Sequence, residues 1–215
     1  MDQLVKATAA DGQLRVFAAV TTDVVAEAMQ RHDCWPVAAA ALGRTMTGAL
    51  LLAANLKNKE SVTMKCKGDG PLGTVTADAT AEGSVRGCVD HPHVHLPLNV
   101  HGKIDVGGGI GQGILSVTRF TGLKEPVTGS VNIVSGEIAD DLIHYLYTSE
   151  QTPSSIGLGV LVSPELQCLG AGGFFVQPLP GASDAVIDRL EENLKGISSV
   201  SHMVESGLDA EDIIR

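Results

Sequence analysis

The segment from Pro36 to Lys57 is apolar or small on nearly every side of a helix. A helix with this character must be buried in a protein core or cross a membrane. About 20 apolar residues would span a bilayer, but Arg44 lies near the middle of the segment, and a central Arg costs about 2.5–3.5 kcal/mol on insertion. Pro36 suits the first position of a helix. We therefore predict a buried core helix whose small side chains let strands approach its backbone on both sides.

Alternation of apolar and polar residues predicts strands before and after this helix. Two runs around Asp11-Gly12 predict a β-hairpin, and the later runs are separated by short turns rich in Gly and Pro. The expected fold class is α+β, with antiparallel β-sheets packed around the central apolar helix. Predicted strands cover 3–9, 13–20, 61–67, 72–79, 84–89, 114–120, 126–134, 156–162 and 166–176, and further helices cover 21–31 and 137–149.

The clearest boundary in the chain is the sequence Pro-Leu-Pro-Gly at 178–181. We expect a core domain over 1–181 and a helical linker region over 182–215. The first linker helix aligns Ile187, Leu190 and Leu194 on one stripe. The last predicted helix opens at Asp209 and has barely two turns, below the roughly 12–15 residues at which an isolated helix becomes marginal. We therefore expect the parent protein to continue beyond this segment.

The composition excludes several classes of protein. With 25 acidic and 15 basic residues, the net charge is −10, which argues against a nucleic-acid partner. The first ten residues lack the apolar region of a signal peptide, and no further segment reads as a membrane span, so we expect a cytoplasmic location and no membrane partner. The four cysteines, Cys34, Cys66, Cys88 and Cys168, form no C-x-x-C pair, which gives neither a zinc signature nor a disulfide framework.

One cluster of histidines could bind a divalent metal. Alternation would place His91, His93 and His95 on one face of an extended segment, with His101 nearby. Two prolines interrupt the segment, and the usual helical pair of histidines is missing. An exposed polar loop is the preferred interpretation, and a metal-dependent enzyme that uses this cluster is the alternative.

Other candidate chemistry has simpler explanations. The glycine stretch at 107–113 fails the spacing of a dinucleotide fingerprint, so we expect a flexible loop between strands. Asp140 and Asp141 lie in the first turn of a predicted helix, where the helix dipole favours acids. Arg44, if buried, must have a partner, and a structural role is favoured over a functional one. From its residues alone, the sequence predicts no active site.

Five stretches are distinctive when taken together. They are MDQLVKATAADGQLRVFAAVTTDVV, WPVAAAALGRTMTGALLLA, KGDGPLG, SGEIADDLIHYLYTSEQTPSSIGLGVLV and AGGFFVQPLPGA. They resemble the heat shock protein 33 family of redox-regulated bacterial holdase chaperones, over essentially the whole chain. The resemblance implies a non-enzymatic protein that binds unfolding polypeptides under heat and oxidative stress and usually acts as a homodimer.

The resemblance also implies a core followed by a helical linker, here Ala182 to Arg215, and then a small module in which four cysteines bind zinc. Oxidation there would form disulfides, release the metal, unfold the linker and activate the chaperone. This chain ends before such a module, so we expect no metal or cofactor in it and assign none of its four cysteines a redox role.

A holdase needs apolar surface that stays hidden until it is required, because large exposed apolar patches are sticky. We expect Ile187, Leu190 and Leu194 to dock the linker on the core. Burying three such side chains contributes about 4–8 kcal/mol before ordering entropy is subtracted. Without the zinc module this chain is expected to hold clients without oxidation, and it is expected to dimerise, by exchange of linker helices between protomers as one route.

Overall fold

Helix α2, Pro36–Ala53, lies between two antiparallel β-sheets in the computed structural model, which describes residues 1–57, 59–197 and 199–215. Sheet A has the strand order β1 (Gln3–Ala9), β2 (Leu14–Val20), β9 (Cys168–Pro178) and β8 (Ser155–Val162). Sheet B has the order β5 (Val85–Val89), β4 (Thr74–Thr80), β3 (Ser61–Gly68), β6 (Gly113–Phe120) and β7 (Val127–Asn132). The predicted α+β class is therefore confirmed, and the predicted strands are found with ends shifted by no more than two residues. The elements are β1 Gln3–Ala9, β2 Leu14–Val20, α1 Thr22–Arg31, α2 Pro36–Ala53, β3 Ser61–Gly68, β4 Thr74–Thr80, β5 Val85–Val89, α3 Val106–Ile110, β6 Gly113–Phe120, β7 Val127–Asn132, α4 Ala139–Thr148, β8 Ser155–Val162, β9 Cys168–Pro178, α5 Asp184–Lys195, α6 Val200–Glu205 and α7 Ala210–Ile213.

Small side chains allow α2 to be enclosed on all sides. All its residues except Pro36 and Arg44 are buried. A Cβ atom added at Gly43 would lie 2.8 Å from side-chain atoms of Val25 and Val160, so nothing larger than glycine fits there without a shift. By length and composition α2 could cross a membrane, but 89% of it is buried within the protein. The helix ends at Ala53, so the prediction that it extends to residue 57 is wrong.

Sheet A is apolar on both faces. Phe17 and Phe175 pack into the main core with α2, and their rings lie 5.6 Å apart. Alternate residues of the same strands, such as Val16 and Phe174, belong to a second cluster on the opposite face. This second face is covered by α5, α6 and α7, whose apolar side chains pack against it. Strands that are buried on both sides explain why β2 and β9 read as nearly continuous apolar runs.

The glycine stretch after residue 105 forms a short helix, α3, and the prediction of a flexible loop is wrong. Asp105 caps the helix, and its Oδ1 accepts a hydrogen bond from the Gly108 amide at 2.8 Å. Val106 and Ile110 are fully buried. A Cβ at Gly109 would lie 2.7 Å from the Val37 side chain. Gly109 is therefore needed for close packing against α2.

Candidate functional site

The outer face of sheet A and the helices that cover it form one apolar cluster, which we call the outer cluster. Among the described residues, the strands supply six of its buried apolar side chains and the helices supply three. Its buried members are Leu14, Val16, Ala18, Val20, Phe174 and Val176 from the sheet and Val200, Ala210 and Ile213 from the helices. A sheet face of this kind would be a large apolar surface if the helices moved away.

Helix α6 lies directly on glycines of β8 and β9. A Cβ added at Gly159 would be 2.6 Å from the backbone nitrogen of Ser201. One added at Gly170 would be 2.5 Å from the backbone oxygen of the same residue. Ser201 itself is buried. The backbone of α6 therefore approaches the sheet as closely as it does only because these two positions carry no side chain.

The short helix α7 is held by both its cap and its packing. Asp209 Oδ1 accepts hydrogen bonds from the amides of Glu211 and Asp212, at 2.9 and 3.0 Å. Ala210 and Ile213 are buried against sheet A. Packing thus stabilises a helix that would be far too short to persist in isolation.

Helix α5 is attached more loosely, since none of its residues is buried. Of the three docking residues predicted from the sequence, Leu190 and Leu194 pack against the outer cluster, together with Val186. Ile187 is half-buried and is not among the residues that pack there. Sequence reasoning missed Val200, Ala210 and Ile213, because α6 and α7 are too short to show a helical stripe.

Arg44 has a charged partner. Its Nη1 lies 2.5 Å from Glu137 Oε2, just before α4. The Arg44 side chain is 16% exposed and that of Glu137 is 37% exposed. In the described part of the chain the buried Nε of Arg44 makes no hydrogen bond. The ion pair joins the central helix to the segment that precedes α4.

The two adjacent aspartates at the start of α4 do not form a catalytic pair. Asp141 is buried and accepts hydrogen bonds from three backbone amides, at 2.7 Å from Val134, 3.0 Å from Ser135 and 3.0 Å from Ile138. These bonds hold Ile138, which has a positive φ of 71°. Asp141 therefore fixes the backbone turn into α4.

The histidines do not converge on a metal site. His93 Nε2 lies 2.8 Å from Asp33 Oδ2, and the His93 ring lies 5.5 Å from that of Trp35. His91, His95 and His101 are exposed. Among residues 1–57, 59–197 and 199–215, no three His, Cys, Asp or Glu side chains are grouped as metal ligands.

All four cysteines are free thiols. Burial is the main cause that raises the pKa of Cys34 to about 11, that of Cys66 to about 12 and that of Cys168 to about 11. Cys88 is exposed. A raised pKa keeps a thiol protonated and a poor nucleophile at neutral pH. The three shifted cysteines are thus suited to packing rather than to redox chemistry.

Comparison with known proteins identifies the family. The family described as Hsp33 protein matches residues 2–215. A 33 kDa chaperonin of Desulforamulus reducens is 51% identical over 214 residues, which cover 100% of this chain and 73% of that protein. A 33 kDa chaperonin of Bacillus pumilus is 52% identical over 215 residues, covering 100% of this chain and 74% of the relative. The crystal structure of a 33 kDa chaperonin, a heat shock protein 33 homologue from Thermotoga maritima, superposes with a TM-score of 0.91 at 40% identity, over 97% of this chain and 72% of that one. The chain therefore belongs to the Hsp33 family.

Proposed function

We propose that this chain is a chaperone that holds unfolding polypeptides on the outer face of sheet A when α5, α6 and α7 move away. The observation that carries the proposal is an apolar sheet face covered by short helices which, among the described residues, contribute three buried apolar side chains, Val200, Ala210 and Ile213. The names of the relatives, 33 kDa chaperonins, support a chaperone function. Residues 182–215 would then act as a removable linker on a core formed by 1–181.

The free energy that keeps α5, α6 and α7 on sheet A is a small difference between apolar burial and conformational entropy. Burying Val200 and Ile213 contributes about 1.5–3 kcal/mol for each side chain. Fixing the backbone of each helical residue costs about 1–2 kcal/mol. Modest perturbations are therefore sufficient to uncover the sheet. The main core can stay folded meanwhile, because its buried side chains form a separate set.

Regulation follows from what anchors the linker. The chain spans about three quarters of the length of its relatives, and the resemblance assigns zinc and redox control to a module outside the 215 residues. We propose that residues 1–215 by themselves hold clients without oxidation and without bound metal. A metal-dependent enzyme built on His91, His93 and His95 is not proposed, because these side chains do not converge among the described residues.

The test is suppression of aggregation under reducing conditions. A heat-unfolded test enzyme is incubated with the chain in dithiothreitol, with and without a zinc chelator, and light scattering is followed. We expect scattering to fall as the chain approaches a one-to-one ratio, with no effect of the chelator. Scattering equal to that with serum albumin at the same concentration would refute the proposal.

The assembly proposed for the active form is a cytoplasmic homodimer in which α5, α6 and α7 exchange between protomers. The connection to α5 turns at Gly181, which has a positive φ of 87°, and we propose this turn as the hinge for exchange. Sedimentation equilibrium at high protein concentration tests the proposal. A monomer throughout the concentration range would contradict it.

A further inference from the structure

Strand β8 forms an edge of sheet A that lacks the usual protection. The strand order leaves β1 and β8 at the two edges. In the described part of the chain, β8 pairs with β9 alone, and no backbone hydrogen bond joins its other side to a further element. Edge strands are normally protected by charged residues or proline. β1 carries Lys6 and β5 carries Arg86, whereas β8, SIGLGVLV, and the edge strand β7 of sheet B, VTGSVN, have neither a charge nor a proline.

A cleft of about 600 Å³ runs along this edge. All eight residues of β8 line it, but Phe174 is its only lining residue from β9. Because side chains alternate between the two faces of a strand, a cleft that touches every residue follows the edge rather than one face. Its apolar walls come from Leu98, Ile104 and Ile143 on other parts of the core and from Leu194, Ile197 and Val200 of the C-terminal region. The volume lies within the roughly 300–1,000 Å³ typical of ligand clefts.

The charges around the cleft favour an occupant that carries a carboxylate. Arg44 and Lys103 line it, and the described lining contains no acidic residue, although the protein as a whole has a net charge of −10. Arg44 is paired with Glu137, but its buried Nε has no hydrogen-bond partner in the described part of the chain. Lys103 is exposed at the rim. An acidic side chain at this end of the cleft would meet the positive charge of Lys103.

We propose that the edge of β8 binds an extended, apolar segment of an unfolding polypeptide as an added strand, with an acidic side chain of that segment near Lys103. The proposal rests on the chaperone function and adds a binding site beside the outer cluster. Strand addition draws its affinity from main-chain hydrogen bonds, which every sequence offers, so it suits a protein that must accept many clients. A second folded copy fits less well, because its own β8 lies between the same two walls.

Peptide binding with a matched pair of variants tests the site. The probe is a fluorescein-labelled seven-residue peptide of alternating Val and Thr with one Glu, followed by anisotropy. Leu98 lines the cleft and is 63% exposed, while Val100 lies in the same loop, is 96% exposed and does not line it. Leu98→Asp should weaken binding by about tenfold or more, because it removes one apolar wall contact. Val100→Asp should leave the dissociation constant within about twofold, which is the scatter that such exposed substitutions produce. Equal effects of the two variants would overturn the proposal.

Backbone methylation of the peptide separates strand addition from side-chain binding. Two versions carry N-methyl groups on alternate amides, one on the odd positions and one on the even positions. Only one set of amides can face β8. We expect one version to lose binding and the other to keep it. Retention of binding by both versions, or loss by both, would overturn the strand model.

A charge swap tests the orientation. With Lys103→Glu, a peptide that carries Lys in place of Glu should become the preferred ligand. Lys124→Glu makes the same change in net charge on an exposed loop away from the cleft, and should leave the preference for Glu unchanged. The same shift in both variants would mean that overall charge decides the preference, and would refute the role of Lys103.

Aggregation assays distinguish failure of this site from failure of the chaperone function. If the chain suppresses aggregation but the peptide binds equally to Leu98→Asp and to the unchanged protein, the edge proposal alone is wrong. If the peptide binds as expected but aggregation is not suppressed, the chaperone proposal alone is wrong. If the peptide does not bind and Leu98→Asp converts a dimer into a monomer in sedimentation, a second copy occupies the edge and the proposed occupant is wrong.

Discussion

Replacing Gly159 by Ala should release α6 from sheet A. The added Cβ would lie 2.6 Å from the backbone nitrogen of Ser201, well inside normal contact distance. Because the opposing atom belongs to a backbone, it cannot rotate away as a side chain can. The helix must shift outward, and Val200, which is 5% exposed, leaves its place in the outer cluster.

The energetic cost of Gly159→Ala follows from the contact between the added Cβ and the Ser201 nitrogen. Overpacking of one methylene costs about 1–3 kcal/mol. Gly159 lies in a folded strand whether or not α6 is docked, so the effect of Gly→Ala on the unfolded chain does not enter this equilibrium. The loss for the docked state is then about 1–3 kcal/mol, which corresponds to a roughly 5- to 150-fold larger uncovered population. The main core does not include α6, so the midpoint of its unfolding should change little.

Hydrogen exchange measured by mass spectrometry, with binding of an apolar dye, gives the readout. Amides in 200–213 should exchange faster by the same factor, dye fluorescence should rise, and less chaperone should be needed to suppress aggregation. The control is Gly196→Ala, the same chemical change between α5 and α6. There, among the described residues beyond its chain neighbours, the added Cβ would meet the Asn193 oxygen at 3.3 Å, which is tight but does not overlap.

Two outcomes would refute the release of α6 as the way in which the client surface is uncovered. In the first, Gly159→Ala leaves exchange in 200–205 as slow as in the unchanged protein, which would mean that the sheet relaxes instead of the helix. In the second, the amides exchange faster but neither dye binding nor holding rises, which would mean that the outer cluster is not the surface that clients use.

The Arg44 ion pair and the buried thiols give further measurable outcomes. In urea denaturation, Glu137→Ala should lower the free energy of unfolding by about 1–3 kcal/mol, less than for a fully buried pair because the Glu137 side chain is 37% exposed. The control is Glu27→Ala, which breaks an exposed ion pair on α1 and should cost less than about 0.5 kcal/mol. Equal losses of stability in the two variants would refute a special role for Arg44. Iodoacetamide at pH 8 should modify Cys88 and spare Cys66 in the native protein, as read by mass spectrometry, because the first is exposed and the second is buried with a pKa of about 12. Since burial raises the pKa of Cys66 from 9.0 to about 12, the unfolded chain loses this proton first as the pH rises, so the thiol's contribution to stability is complete below pH 9 and is lost between pH 9 and about 12. Cys66→Ala should flatten that part of the stability curve, and an unchanged slope would contradict the assignment.

The main core could be predicted from the sequence, because its signals are local and strong. Alternation predicted strands such as β3, and a mostly apolar run that starts at Pro36 predicted α2. The helix α3 was missed because glycine has a low helix propensity, whereas the Asp105 cap and packing against Val37 stabilise this helix. Gly159 carried a usable signal, since a glycine inside an apolar strand often marks close approach of another backbone.

The cover of sheet A was harder to predict than the sheet itself. The stripe on α5 predicted that Ile187, Leu190 and Leu194 dock on the core, whereas the buried apolar residues of the covering helices lie on α6 and α7. A helical stripe reports that a helix has an apolar side, but it does not report how deeply that side is buried. That depth depends on the partner surface, and the glycines that create it lie far away in the sequence.

The topology of sheet A has a consequence for how the protein is made. Strand β2 pairs with β9, which joins Ala18 to Phe174, so the partner of an early strand leaves the ribosome almost a whole chain later. Throughout that interval, both apolar faces of the nascent hairpin and the apolar helix that follows it lack their packing partners and stay exposed. During its own synthesis, the protein must therefore survive the same hazard of premature sticking from which we propose it protects other polypeptides.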